Sequence, residues 1–317
     1  MTEPVRPDPT PPVVSVVSTL YKSRAYLPQF LDQCIDALQA ANVESFEIIL
    51  VNDGSPDDSL AFALKRQRDI PQLVVLDLSR NFGHHHALQA GMVHARGQLV
   101  FLIDCDLEVS PSVFSAFYSK ILETGCDLVY GYQEFRKGGL FERSSGGLFW
   151  KGFNLLSEIR VPENMTTERI MSRRFVDALL QLGDRNLFLG GMMTWTGFDQ
   201  IGIAVPKGLR DGTSTYTLMK RVRLMVNAVS SFSSRPLVLL FNFGISITGL
   251  SIAYVAYLLL RKLMFDDTLI GFTSVMALVA LNLGILTTSI GLVGIYLSKV
   301  FNQVQARPNF IVKQIYR

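Results

Sequence analysis

The stretch Val100–Glu108 (VFLIDCDLE) runs from an apolar segment into two carboxylates, Asp104 and Asp106, with Glu108 close behind. Carboxylates two positions apart at the end of a buried strand make a site for a hard divalent cation. Mg2+ or Mn2+ takes oxygen ligands and fills its remaining positions with substrate phosphates. An ion held there neutralises a diphosphate as it departs, which is catalysis by charge stabilisation. We therefore assign Asp104, Asp106 and Glu108 to a metal. The cluster Asn52-Asp53-Gly54-Ser55 has the composition of a turn. At a strand end, Asp53 can instead accept hydrogen bonds from a nucleobase or ribose. Cys105 alternates away from its neighbours and is expected to face into the sheet. His84, His85 and His86 invite a metal reading, but adjacent helical residues point about 100° apart and cannot all meet one ion. Proximity of one of them to a donor phosphate is the functional reading left.

Such residues need a frame. Val13–Thr19, Phe46–Val51, Leu73–Leu78 and Leu99–Ile103 read as buried strands, and Ala25–Ala41, Asp57–Arg68 and His84–Ala95 as the helices between them. That rhythm predicts βαβ units and a mostly parallel sheet. Ligands of open α/β sheets bind beyond the carboxyl ends of the strands. Tyr21 follows the first strand, Asp53 the second and Asp104 the fourth, as that rule requires. Farther on, a strand at Leu128–Tyr132 and helices near Gly147–Ile159 and Ser172–Leu182 are expected. Trp195 and Tyr216 read as packing residues before sugar platforms.

These motifs, in this order, resemble the family-2 glycosyltransferases of GT-A fold, a Rossmann-like α/β domain for nucleoside-diphospho-sugars. Ser18-Thr19-Leu20-Tyr21 is similar to that family's first nucleotide loop, and Ser79–Gly83 (SRNFG), followed by Ala87–Gly91 (ALQAG), to its segment flanking the donor. The resemblance thus implies Thr19, Tyr21, Asp53, Arg80, Gly83, Asp104 and Asp106 as donor contacts. Val129–Tyr132, Trp195–Phe198, Gly212–Tyr216, Ser231–Leu237 and Arg307–Phe310 narrow it to the polyprenyl-phosphate glycosyltransferase branch, which includes dolichol-phosphate mannosyltransferase-like and bactoprenol glucosyltransferase-like enzymes. The branch implies an inverting transfer from a nucleotide sugar, UDP favoured, to a polyprenyl-phosphate or other lipid-linked acceptor. Thr167 stands where the branch carries an active-site Asp, and Thr215 where it carries Lys. Asp106, Glu168 and Arg169 are accordingly the catalytic candidates, with Glu163 a weaker alternative to Glu168. Arg169, Arg210 and Ser214 are the candidates for the acceptor phosphate.

Hydrophobic residues make up 49% of the 317, and the excess lies near the C-terminal end. Residues 237–260 and 268–298 carry no charge; the shorter run gives a helix of about 36 Å, enough for a hydrocarbon core of about 30 Å. Leu218–Val229 has its apolar residues on one side and reads as an interfacial helix. The expected organisation is a loose tail (1–12), a catalytic α/β domain (13–215), an amphipathic juxtamembrane segment (216–235), two transmembrane helices at about 236–260 and 268–298, and a basic tail (299–317). Lys and Arg outweigh acids on the outer flanks but not in the connector 261–267. That places both flanks, and the catalytic domain, on the cytoplasmic side of the inner (plasma) membrane. Met1–Pro12 lacks the apolar region of a signal peptide. Gly284, Gly291 and Gly294 permit close helix packing and self-association. The small net charge of +3 excludes the broad basic field of a nucleic-acid binder. Cys34, Cys105 and Cys126 have no metal-ligand spacing and are expected as reduced thiols.

Two other readings stand beside this one. A transferase extending a lipid-linked or cell-surface glycan, as in lipopolysaccharide assembly, would need a carboxylate to take the proton of its hydroxyl acceptor. A membrane scaffold with a degenerate transferase domain would not need Asp53, Asp104 and Asp106 together.

Overall fold

The computed structural model describes residues 11–134, 161–162, 164–206, 226, 229–230, 233–265 and 271–317. Four apolar runs form parallel strands: β1 (Val14–Leu20), β2 (Phe46–Asn52), β3 (Leu73–Leu78) and β4 (Leu99–Leu102). Between them lie α1 (Leu27–Ala40), α2 (Ser59–Asp69) and α3 (His84–His94). Helix α1 buries Leu27, Phe30, Leu31, Cys34, Ala37 and Leu38, a stripe at helical spacing laid on the sheet. After α4 (Phe114–Thr124), strands β5 (Leu128–Tyr132) and β6 (Met165–Ser172) follow, then α5 (Arg173–Gln181), α6 (Leu189–Trp195) and β7 (Gln200–Ala204). The Ser172 hydroxyl caps α5 by accepting from the Phe175 amide.

The sheet order is β7-β5-β6-β4-β1-β2-β3-β8, with β8 (Val312–Tyr316) on the edge beside β3. Pairs β1–β2, β2–β3 and β1–β4 are parallel; β4–β6, β5–β6 and β3–β8 are antiparallel. The chain moves outward through β1, β2 and β3, then returns across β1 to make β4. The topological switch point therefore lies between β1 and β4, where such sheets open a ligand crevice. At the opposite, amino ends of the strands, Glu47 accepts from Ser15 (2.6 Å) and from the Arg96 amide (2.7 Å). That charged cluster lies away from the crevice and holds the sheet margin together.

Helix α3 fits the sheet because position 91 has no side chain. A Cβ on Gly91 would stand 2.2 Å from Val17 Cγ1. Gly91→Ala gains about 1 kcal/mol of helix propensity, but the overlap costs about 1–3 kcal/mol or more. Overpacking wins at so short a distance, so thermal unfolding should show a lower Tm; an unchanged Tm would mean that α3 can lift off the sheet.

Two departures from expectation concern this domain. Residues 165–172 form a strand between β4 and β5, although their polar start (Met-Thr-Thr-Glu-Arg) hides the period. The basic tail, for which no element was expected, contains β8 (Val312–Tyr316), antiparallel to β3. Lys313 Nζ lies 3.6 Å from Asp77 Oδ2. Ahead of β8, the Asn309 side-chain amide donates to Gln89 Oε1 (2.8 Å) on α3 and to the Asp184 carbonyl (2.9 Å).

The second unit contains two long helices, α7 (Arg235–Phe265) and α8 (Phe272–Gln305). Arg235–Tyr254 and Leu281–Gln305 are long and apolar enough to cross a membrane, with mean hydropathies of 1.8 and 1.5 and none of either window buried. The helix expected near Gly147–Ile159 and most of the amphipathic segment 216–235 lie outside the described residues.

Candidate active site

The β1/β4 crevice gathers the side chains that the sequence singled out. Past Leu102 the fourth strand releases Asp104 and Asp106, both partly exposed, while Cys105 turns into the core and donates to the Thr19 carbonyl (3.1 Å). That link ties the end of β4 to the end of β1. Asp106 Oδ1 accepts from the Glu108 amide (3.0 Å), closing a turn in which Leu107 has φ +59°. A left-handed backbone at a leucine costs on the order of 1–2 kcal/mol, so this turn is held by its surroundings.

Asp53 is 2% exposed, and its two oxygens accept from the amides of Phe82 (2.7 Å) and Gly83 (3.0 Å). Its own carbonyl accepts from Asn81 Nδ2 (3.0 Å). The neighbouring Gly54 has φ +59°, and a Cβ there would sit 2.5 Å from the Asn81 nitrogen. Both carboxylate oxygens of Asp53 thus clamp the loop 79–83. That loop exposes Arg80, whose guanidinium lies 4.0 Å from the Phe82 ring centroid. Tyr21 is half exposed on the other rim.

Of the three adjacent histidines, it is His84, the first residue of α3, that faces the ends of β1 and β4. Its Nδ1 is 3.0 Å from Thr19 Oγ1 and its Nε2 is 3.5 Å from Asp104 Oδ1. Burial lowers its pKa from the usual imidazole value, which keeps the ring neutral at pH 7. His85 points elsewhere, its Nδ1 lying 3.2 Å from the Leu187 carbonyl, and burial pushes its pKa down to about 4.

Strand β6 brings Glu168 and Arg169 to β4. Arg169, expected to anchor an acceptor phosphate, is 7% exposed. Its guanidinium donates to the carbonyls of Thr166 and Thr167 and to Met193 Sδ. Burial lowers its pKa to about 10, so it stays charged at pH 7 and adds positive potential beside Asp104. It lies beside Asp104 as a buried charge whose donors turn to its own chain. Glu168 is 3% exposed, and Oε2 has no hydrogen-bond partner among the described residues. Burial raises its pKa above the ordinary carboxylate value.

A raised folded pKa means that the native state binds this proton more tightly than the unfolded chain does. Ionised Glu168 therefore costs stability, fully above its folded pKa and not at all below its unfolded one. Glu168→Gln should raise Tm relative to wild type at pH 8, and the gap should shrink toward pH 4. A pH-independent gap would point to packing as the cause.

Among the described residues no three carboxylate, imidazole or thiol groups converge on one point. Asp104 and Asp106 still suit Mg2+ or Mn2+, since such ions commonly take one or two carboxylates and leave the rest to phosphates and water. Arg210, Ser214 and Glu163 lie outside the described residues. Glu108 follows the Asp106 turn and is partly exposed.

Residues 15–180 match the family model described as Glycosyl transferase family 2. A Mycobacterium tuberculosis (strain CDC 1551 / Oshkosh) chain, whose name assigns it to the glycosyltransferases, is 38% identical over 303 residues, covering 96% of this chain and 88% of the relative. The SfII prophage-derived bactoprenol glucosyl transferase of Shigella flexneri is 28% identical over 306 residues, with coverages of 96% and 98%. Among solved structures, the mannosyltransferase PcManGT from Pyrobaculum calidifontis, in complex with GDP-Man and Mn2+, is 14% identical with a TM-score of 0.49, covering 95% of this chain and 90% of that one.

Proposed function

Because this chain belongs to the family 2 glycosyltransferases, we propose that it is a membrane-anchored enzyme moving a sugar from a nucleoside diphosphate, UDP in first place, onto a polyprenyl phosphate at the cytoplasmic membrane face. The observation that carries this reading is the crevice itself: Asp104 and Asp106 stand at the switch point of a 3-2-1-4 parallel sheet in a chain that also has two exposed apolar helices. The acceptor follows from the relative named a bactoprenol glucosyl transferase, which matches along nearly its whole length.

In this scheme Tyr21 and Arg80 border the nucleoside, and Asp53 keeps the loop 79–83 in place for it. Asp104 and Asp106 would hold Mg2+ or Mn2+, which would offset the charge of the departing diphosphate. An acceptor phosphate oxygen attacks the anomeric carbon from the face opposite the leaving group. The new C–O bond forms as the bond to the diphosphate breaks, and the nucleoside diphosphate departs. A phosphate monoester has a second pKa near 6 and is mostly dianionic at pH 7, so it needs no base. The deep burial of Glu168 favours such an acceptor over a hydroxyl, which would need a carboxylate within reach.

The C-terminal strand supports the topology. β8 lies in the same sheet as β3, so a chain that leaves this domain for α7 and α8 must return to the same side. Two crossings satisfy that condition and one does not. The basic outer flanks favour the cytoplasm.

Full-length protein in detergent should convert UDP-sugar and undecaprenyl phosphate, with Mn2+, to a glycosyl-phosphoryl-polyprenol of the summed mass, releasing UDP. EDTA should stop the reaction. Transfer only to a lipid-linked glycan hydroxyl would replace this reading with the glycan-extending one, and no transfer to either acceptor would overturn it.

A further inference from the structure

We propose that the segment following α8 is a second clamp on the donor side of the crevice, and that Asn309 is its positioning residue for the nucleotide sugar. The inference rests on the donor reading of the β1/β4 crevice and adds to it a part of the chain far away in sequence.

The bonds made by one side chain carry the argument. The Asn309 amide donates to Gln89 Oε1 (2.8 Å) and to the Asp184 carbonyl (2.9 Å), and Arg185 Nη1 lies 3.5 Å from its oxygen. Gln89 is a buried residue of α3, the helix that begins with His84 at the crevice. The stretch after Asp184 meets the same helix, because the Leu187 carbonyl lies 3.2 Å from His85 Nδ1. Asn309 thus joins the middle of α3 to the stretch that borders its start. Two residues on, the Ile311 carbonyl accepts from the Ser79 amide (2.9 Å). Ser79 opens the loop that exposes Arg80, and Asp53 holds the other end of that loop at Phe82 and Gly83. The loop is therefore pinned at both ends, once by Asp53 and once by the tail.

The tail reaches the other rim as well. Lys313 Nζ lies 3.6 Å from Asp77 Oδ2, and Asp77 Oδ1 accepts from Asn52 Nδ2 (2.7 Å). Asn52 Oδ1 accepts from the Ser55 amide (3.2 Å), and Ser55 Oγ accepts from the Lys22 amide (2.8 Å), next to Tyr21. Lys313 is exposed, so its ion pair contributes little, and the larger effect belongs to the partly buried Asn309. The compact unit that holds the crevice accordingly includes Arg307–Arg317. Loops open at a lower free energy than the strands they leave. Losing Asn309 therefore frees the donor loop and the start of α3 while the sheet stays folded.

Asn309→Asp keeps the size of the side chain and removes both donors. Gln89 can turn its amide to donate, but the Asp184 carbonyl cannot. In full-length protein with undecaprenyl phosphate and Mn2+, KM for the UDP-sugar should rise about 10-fold. The Kd of UDP, measured by titration calorimetry without acceptor, should rise by the same factor. At saturating donor, kcat and KM for the lipid should stay within about 2-fold of wild type, as expected when only donor binding is lost. The Ser79 amide should lose hydrogen-exchange protection, and Asn309→Ala should show the same split. A merely structural Asn309 would lower Tm and the active fraction, and so kcat, with KM unchanged. That result, wild-type KM in both variants, or loss of the fold in both overturns the inference and leaves the donor crevice standing. A wild type that binds no UDP overturns the crevice reading itself, and the clamp with it.

Discussion

An Asp106→Ala protein is expected to transfer sugar about 10³-fold more slowly than wild type, the scale seen when one group stabilising transition-state charge is removed. The loss should fall on kcat as well as on kcat/KM, because leaving-group charge grows only as the anomeric bond breaks. Two effects compete in this variant. One is lost charge stabilisation; the other is lost shape, since Asp106 Oδ1 also closes the turn onto the Glu108 amide. Asp106→Asn separates them: its amide oxygen can still accept that hydrogen bond, but it carries no charge for an ion. If charge is what matters, Asn should be nearly as inactive as Ala while keeping the wild-type Tm. Activity of Asp106→Asn near wild type, in the presence of EDTA, would remove the cation from the mechanism.

Much of this site was legible in the sequence because the residues obey one rule. Buried β-rich runs ending in polar residues give a parallel sheet with its chemistry at the carboxyl edge, and β1 to β4 formed within a residue or two of where their apolar runs lie. The same rule contained His84: the loop 79–83 follows β3, so the first residue of the next helix arrives at the same edge as Thr19 and Asp104. The sequence leaves one of the three adjacent histidines for the donor side without saying which, and the helix start at His84 selects it. The clamp made by Asp53 is not legible in the sequence, because a strand-end carboxylate looks the same whether it meets a substrate or a backbone loop. Its partners are amides 29 and 30 positions away, and backbone amides leave no trace in side-chain identity.

Strands β6 and β8 were hidden for a different reason. β6 begins with polar residues and gains its burial from β4 and β5 on either side, so its strand character comes from the sheet. β8 is a short edge strand with Lys313 and Gln314 at its centre, the sort of sequence that protects an edge and reads as a tail. Arg169 follows from the same strand. Its guanidinium, a sequence candidate for the acceptor phosphate, donates to carbonyls of its own enclosed strand.

Asp53→Asn is expected to lower kcat/KM for the nucleotide sugar by about 10²-fold, near 2.7 kcal/mol, mostly through KM. The carboxylate makes two charge-assisted hydrogen bonds to backbone, each worth about 1.5–3 kcal/mol. The asparagine oxygen can keep one of them in weaker, neutral form. Its NH2 must then face the other backbone N–H, donor against donor. Gly54 leaves no room beside it, because a Cβ there would stand 2.5 Å from the Asn81 nitrogen. The loop 79–83 can open without unfolding the sheet, and local opening limits the global cost. Tm should therefore fall by only a few degrees while donor binding suffers fully. Hydrogen exchange decides the mechanism: the Phe82 and Gly83 amides should lose protection in the variant and regain none when UDP is added at its wild-type saturating concentration. If those amides stay protected while the preference among UDP, GDP and TDP changes, Asp53 touches the nucleotide after all. The clamp would then be a feature of the empty crevice that the donor displaces.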